Sequence, residues 1–121
     1  MDVNYFIIPG VRKMPFKKLD RENRKELMYD EFSKVCESYQ MDPEDALQNN
    51  RSRAREYVEV RQLSIALFIC KLKASTGESG RFFGKDHATA IHATKTIRNL
   101  VETDRTFRLQ TAPLLAGVNL Y

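Results

Sequence analysis

The sequence predicts an all-α protein: a compact helical bundle containing a helix-turn-helix, with less regular N- and C-terminal extensions. Three observations carry this. Glycine and proline are the strongest breakers of regular structure, and all nine fall in clusters: Pro9, Gly10 and Pro15; Pro43; Gly77, Gly80 and Gly84; Pro113 and Gly117. The blocks between them, 16–42, 44–76 and 85–112, far exceed the ~8–12 residues that separate turns in an all-β domain. Within the blocks, apolar residues recur at three- and four-residue steps, the signature of one helix face. The chain has 121 residues, which suits one domain of the usual ~100–200. It divides into an N-terminal extension (1–18), a helical domain (19–108) and a C-terminal tail (109–121).

In the first block Met28, Phe32, Val35 and Tyr39 mark one helix face, and Asp20 is the expected N-cap. A second helix start follows at Asp42-Pro43-Glu44-Asp45. There the aspartate caps, proline fits the first helical position, and the acids suit the positive helix end. Residues 63–70, Leu-Ser-Ile-Ala-Leu-Phe-Ile-Cys, are apolar nearly all round. The run from Ala54 to Lys73 holds no breaker, and Val58, Ile65, Ile69 and Leu72 keep helical spacing, so a central buried helix is expected. Ser75-Thr-Gly-Glu78 reads as a capping box, in which the Ser75 hydroxyl takes the Glu78 N–H and Glu78 reaches back. Asp86 then caps a third long helix with Ala90, Ala93, Ile97 and Leu100 inward. Two helices joined by a short glycine-containing turn form a helix-turn-helix pattern.

Composition narrows the function. Twenty Lys and Arg face sixteen Asp and Glu, a net charge of +4. Residues 1–50 carry 8 basic and 10 acidic side chains (net −2), whereas residues 51–121 carry 12 and 6 (net +6). The cationic part is thus regional, as expected of a polyanion-binding face. No apolar run approaches the ~20 residues of a membrane span, and MDVNYFIIPG lacks a basic segment and an apolar core long enough for a signal peptide. A soluble, cytoplasmic, nucleoid-associated protein is expected. Cys36 and Cys70 form neither a disulfide framework nor a zinc site and read as buried thiols.

No enzyme, metal or cofactor is expected. His87 and His92 are five residues apart, about 500° around a helix and so roughly 140° from one another, whereas a zinc pair wants four-residue spacing. Gly80-Arg-Phe-Phe-Gly84-Lys85-Asp86 departs from a phosphate loop twice: its glycines have three residues between them rather than four, and Asp86 stands where Ser or Thr would hold magnesium.

The same residues suit DNA. The N-terminus of a helix favours phosphate. Asp86, His87, Ala88 and Thr89 project from the first turn of the third long helix. An aspartate can accept from cytosine N4, and an alanine methyl can touch a thymine methyl. His92, Lys95 and Thr96 lie further along and can reach the backbone. Arg51, Arg53 and Arg55 alternate in a polar loop of the kind that enters a minor groove, and Arg61-Gln62 open the central helix.

Gly84-Lys-Asp-His-Ala-Thr-Ala-Ile-His-Ala93 resembles the Gly-Arg-Asp-His-Thr-Thr-Val-Leu-His-Ala signature of the C-terminal DNA-binding domain of the bacterial replication initiator DnaA. Arg61-Gln62, well upstream of His87, is similar to that family's Arg-Gln, and Arg53 and Arg55 fall at its basic loop. The resemblance spans roughly Phe32 to Phe107. It implies a Trp-repressor-like helix-turn-helix that binds a short asymmetric duplex box. It implies that Asp86, His87 and Ala88 read bases in the major groove and that Arg53 enters the minor groove. Arg61, Gln62, Thr89 and His92 then contact the backbone, with Ser75, Lys85 and Lys95 completing that set. Ala88 replaces the usual threonine. Gly77 and Ser79 stand where helix-favouring residues are expected, Gly at a cost of ~1 kcal/mol. Ile69 stands where the family can be basic, with Lys71 or Lys73 the expected substitutes.

The expectation is a sequence-preferring double-stranded DNA-binding protein, a regulator of replication or transcription, with no room in its 121 residues for the ATPase module of a full initiator. The rival is a protein-protein interaction module that kept the helix-turn-helix fold without DNA binding. The two termini are expected to pack on the core; otherwise the C-terminal tail serves a protein partner or self-association.

Overall fold

A computed structural model describes the backbone of residues 13–121 and the side chains of residues 23–121. Its described residues form six helices and no strand: α1 (Lys13–Ser38), α2 (Pro43–Gln48), α3 (Arg55–Cys70), α4 (Thr76–Arg81), α5 (His87–Thr103) and α6 (Arg105–Leu115). The all-α expectation holds. The helical periodicities are realised as burial, with Met28, Phe32 and Val35 of α1 in the core and Ala90, Ala93 and Ile97 of α5 facing it. Between Val60 and Phe68, α3 is buried on nearly every side. It is the central post: α1 packs on one side of it, α5 on another, and α4 bridges α3 and α5.

Helix ends follow local chemistry, with some departures from expectation. Asp20 lies inside α1 rather than at its start, because the helix begins at Lys13. Pro15 does not prevent this: in a first turn its missing N–H has no intrahelical partner to lose. No glycine ends α1. Gln40 adopts φ +54° instead, and Met41 N–H donates to Cys36 O at 2.9 Å while Gln40 N–H donates to Glu37 O at 3.0 Å, a Schellman closure. Pro43 opens α2 as expected, and Asp42 holds the cap position by its extended backbone without a side-chain cap bond. Ser75 Oγ accepts from Glu78 N–H at 3.0 Å, but the reciprocal half of the capping box is replaced: Glu78 takes Arg24 of α1 at 3.2 Å. A charged partner on α1 thus outcompetes a backbone N–H.

The block expected to run unbroken through 85–112 divides at Asp104. This residue ends α5 by donating its N–H to Leu100 O at 2.8 Å and caps α6 by accepting Phe107 N–H at 3.0 Å. The C-terminal tail is more regular than expected, since α6 continues through Pro113 to Leu115. Beyond it Leu120 is buried, and its carbonyl accepts from Arg98 Nε and from Cys70 Sγ. The C-terminal end therefore packs on the core. Residues 1–12 of the N-terminal extension lie outside the described residues.

Phe82 and Phe83 plug the turn between α4 and α5 into the core. Phe83 lies edge-on to Phe32 of α1 at 5.5 Å, and Phe82 lies edge-on to Phe68 of α3 at 4.9 Å. Such pairs add ~0.5–1.5 kcal/mol each beyond the area they bury. They tie the turn, and with it the start of α5, to the central post.

Candidate nucleic-acid interface

The first turn of α5 is built by Asp86. Its extended backbone (φ −96°, ψ 178°) aims the carboxylate back over the helix, where Oδ1 accepts both the backbone N–H and the hydroxyl of Thr89, each at 2.9 Å. These two bonds hold the Asp86 carboxyl below its ordinary value. Oδ2 is left as an acceptor facing solvent. The backbone N–H groups of His87 and Ala88 have no acceptor among the described residues, as the first turn of a helix requires. His87, Ala88, Thr89, His92 and Lys95 are all exposed. The hydroxyl proton of Thr89 is committed to Asp86, so a bond from it to a phosphate oxygen needs a rotation about χ1.

Close approach sets the angle between α4 and α5. A Cβ on Gly80 would stand 2.4 Å from the backbone oxygen of Asp86, so only glycine lets α4 come this near. Lys85 N–H donates to Gly80 O at 2.8 Å across the same gap. Gly84 supplies the left-handed residue of the turn at φ +69°.

The basic loop between α2 and α3 is fastened from three sides. Arg61, half-buried at the first turns of α3, donates from Nη2 to Ser52 O at 3.0 Å and from Nη1 to Asn49 O at 3.4 Å. Burial lowers its pKa. Tyr57 Oη donates to Asp45 Oδ2 at 2.7 Å. Asn50 Nδ2 donates to Phe83 O at 2.9 Å, which clips the loop to the helix-turn-helix. The arginines then differ. Arg55 is paired with Glu59 at 2.7 Å, while Arg51 and Arg53 stand exposed without an acid partner among the described residues.

Five of the residues expected at the DNA backbone come together. Arg61, Gln62, Lys85, Thr89 and His92, with Val58, Ile65 and Ala93, line one cleft of about 190 Å³ between the middle of α3 and the start of α5; Arg61 and Gln62 do not open α3 as expected, because that helix begins at Arg55. Ser75 and Lys95 lie outside it. Ser75 uses an oxygen lone pair for its cap, which keeps its O–H as a donor. Lys95 stands two turns along α5. Asp86, His87 and Ala88 occupy the outward first turn, and Arg53 lies in the clipped loop. Lys71, one of the expected substitutes for a basic residue at Ile69, is paired through Nζ with the buried Glu31 at 2.6 Å. Lys73 remains exposed.

Sequence reasoning missed Gly80 and Asn50. Both were visible as residues, glycine in a helix and asparagine beside a basic run, but their partners lie on other elements. Cys36 is a buried thiol with its pKa pushed up to about 11, chiefly by burial. Cys70 is half-buried and also shifted up.

A short capped helix, a turn plugged by two phenylalanines and a long helix with a polar outward face define a helix-turn-helix protein. The chain belongs to the bacterial DnaA helix-turn-helix family, which matches residues 32–97. That family is a DNA-binding domain and not a catalytic one. Among similar proteins, the chromosomal replication initiator protein DnaA of Bacteroides fragilis is 40% identical over 75 residues, 61% of this chain and 15% of the relative. DnaA of Bacteroides thetaiotaomicron is 32% identical over 111 residues, 91% of this chain and 22% of the relative. DnaA of Flavobacterium psychrophilum is 38% identical over 100 residues, 79% and 20%. The chain thus spans about a fifth of the length of the relatives it matches. No solved structure matches it significantly. Among the described residues no helix is long and apolar enough to cross a membrane.

Proposed function

We propose that this domain binds double-stranded DNA with a sequence preference, as a regulator of replication or transcription in a nucleoid setting. The observation that carries the reading is the shared cleft. Two cationic side chains, an amide, a hydroxyl and an imidazole converge between the middle of α3 and the start of α5, where the N-terminal end of α5 adds positive potential. Arg61, Gln62, Lys85, Thr89 and His92 hold phosphates there, with Ser75 and Lys95 beside them. α5 lies in the major groove. Asp86 presents Oδ2 to a cytosine amine, while His87 and the Ala88 methyl meet neighbouring base edges. Arg53, held in the loop that Asn50 clips to the turn, enters the adjoining minor groove.

The test is selection of duplexes from a random library, followed by titration of the recovered duplex at several salt concentrations. About five phosphate contacts give a log–log salt slope of roughly −4.5. A flat affinity across salt for every duplex refutes DNA binding. Loss of a protein partner on removing residues 113–121, with no DNA binding at all, establishes the interaction-module reading in its place.

A further inference from the structure

Arg55 opens α3 and stands at the edge of the side of that helix that lines the cleft. Each residue advances about 100° around a helix. With Arg55 at the origin, the α3 residues of the cleft, Val58, Arg61, Gln62 and Ile65, fall between about 240° and about 340°. Glu59 falls at about 40°, on the other side of Arg55. Arg55 Nε donates to Glu59 Oε2 at 2.7 Å, so the pairing turns the guanidinium away from the cleft. An exposed ion pair at this spacing is ordinarily weak, because both side chains are free to leave it. Here the acid is fixed. Tyr39 Oη, just past the end of α1, donates to Glu59 Oε1 at 2.7 Å, and both carboxylate oxygens are thereby held. Burial, and then the bond to Glu59, push the Tyr39 phenol up, which keeps it a donor. The Glu59 side chain is 16% exposed and that of Arg55 81%, so the arginine is within reach of a dissolved polyanion while the acid stays at its post.

Counterion release on DNA scales with the number of phosphates that protein cations neutralise. Arg55 and Glu59 together carry no net charge, so the pair neutralises none. Arg51 and Arg53, without an acid partner among the described residues, keep their charge for the duplex. We propose that Glu59 is a positioning residue that acts through Arg55: anchored by Tyr39, it withholds this arginine from duplex phosphates and sets the affinity of the domain one contact lower than its basic loop would otherwise give. The effect is the same on every duplex, because a phosphate contact carries no sequence information. The inference rests on the DNA reading of the cleft and the basic loop, and it adds a residue that restrains binding to those that produce it.

The experiment is a charge cycle read by salt dependence. Glu59→Gln removes the charge and keeps an amide oxygen to accept from Tyr39, and circular dichroism checks that each variant is folded. Binding to the selected duplex and to random duplex is titrated at several salt concentrations for the unaltered chain, Glu59→Gln, Arg55→Ala and the double variant. Glu59→Gln steepens the log–log salt slope by about 0.9 and tightens both duplexes about eight-fold at 0.1 M salt, taking the gain to vanish near 1 M. On the Arg55→Ala background the same substitution leaves the slope nearly unchanged, since no arginine is released. An unaltered slope in Glu59→Gln overturns the proposal. Weaker binding by Glu59→Gln overturns it too, and makes Glu59 a support that presents Arg55 to a phosphate. An equal gain with and without Arg55 also overturns it and reduces Glu59 to a repelling charge. Absence of salt-dependent binding by the unaltered chain is the separate outcome that refutes the DNA reading itself.

Discussion

Gly77 and Gly80 sit three residues apart in α4, and the structure gives their replacement by alanine opposite signs. In a helix interior alanine is favoured over glycine by about 1 kcal/mol. At Gly77 an added Cβ meets only Arg81 Nη1 at 3.2 Å, the movable end of an exposed side chain. Gly77 lies in the first turn of α4 rather than deep in a helix, so Gly77→Ala should stabilise the domain by a fraction of that ~1 kcal/mol. At Gly80 the same atom meets Asp86 O at 2.4 Å, Asp86 C at 2.9 Å and Lys85 O at 3.0 Å, all backbone. No rotamer relieves that. The turn must retreat by roughly half an ångström or more, against Phe82 and Phe83 wedged into the core, and such overpacking costs about 1–3 kcal/mol. Less the helix gain, Gly80→Ala should lose up to about 2 kcal/mol. The assay is urea unfolding by circular dichroism, in which the midpoint moves and the slope stays constant. The retreat also turns the start of α5 away from the cleft, so Gly80→Ala should bind the selected duplex more weakly under conditions where it is fully folded. A Gly80→Ala variant as stable as Gly77→Ala would refute the close approach and the helix angle derived from it.

Four further outcomes are expected. His87→Ala should reduce discrimination between the selected duplex and random DNA by about 1–3 kcal/mol in competition titrations, and equal loss on both would deny it a base. Arg61→Ala should weaken all sequences alike and make the salt slope shallower by about 1, because one phosphate contact is gone; freeing Ser52 O and Asn49 O should also raise hydrogen exchange in the basic loop. The Asp86 carboxyl is held below its ordinary value by Thr89, so its contribution to stability is present above the unfolded-state pKa and lost as pH falls through the folded one. Asp86→Asn should flatten that acid limb of a stability–pH profile, and an unchanged limb would remove Asp86 as its source. Cys36, its thiol pushed up to about 11, should resist alkylation at pH 8 in the folded chain and react in urea, by mass spectrometry.

The helical stripe of α1, the apolar run of α3, the caps at Ser75 and Asp86 and the inward face of α5 were all legible, because each rests on interactions within one or two turns. Asp104 was missed for a local reason: an aspartate between two helical patterns carries no breaker, yet it ends one helix and caps the next. The end of α1 was blurred because glutamine, not glycine, takes the left-handed position. Proline misled at both ends, being compatible with the first turn of α1 and tolerated near the end of α6. In the site, residue types and spacings pointed to the first turn of α5, but the division of labour among arginines was invisible. Arg55 has an acid one turn on, and whether that pairing forms depends on side-chain packing. Arg61 turned out to hold the basic loop as well as to line the cleft.

The sequence by itself determined the helices, their apolar faces, the polar first turn of α5 and the cationic second half, since period, capping and charge are carried by neighbours in the chain. Tertiary structure decided what those pieces make together. The clip from Asn50 to Phe83 crosses 33 residues, the Gly80–Asp86 approach fixes one helix against another, and the cleft joins α3 to α5. These depend on how close two helices come and at what angle, which is set by the fit of Phe32, Phe68, Phe82 and Phe83 in a shared core.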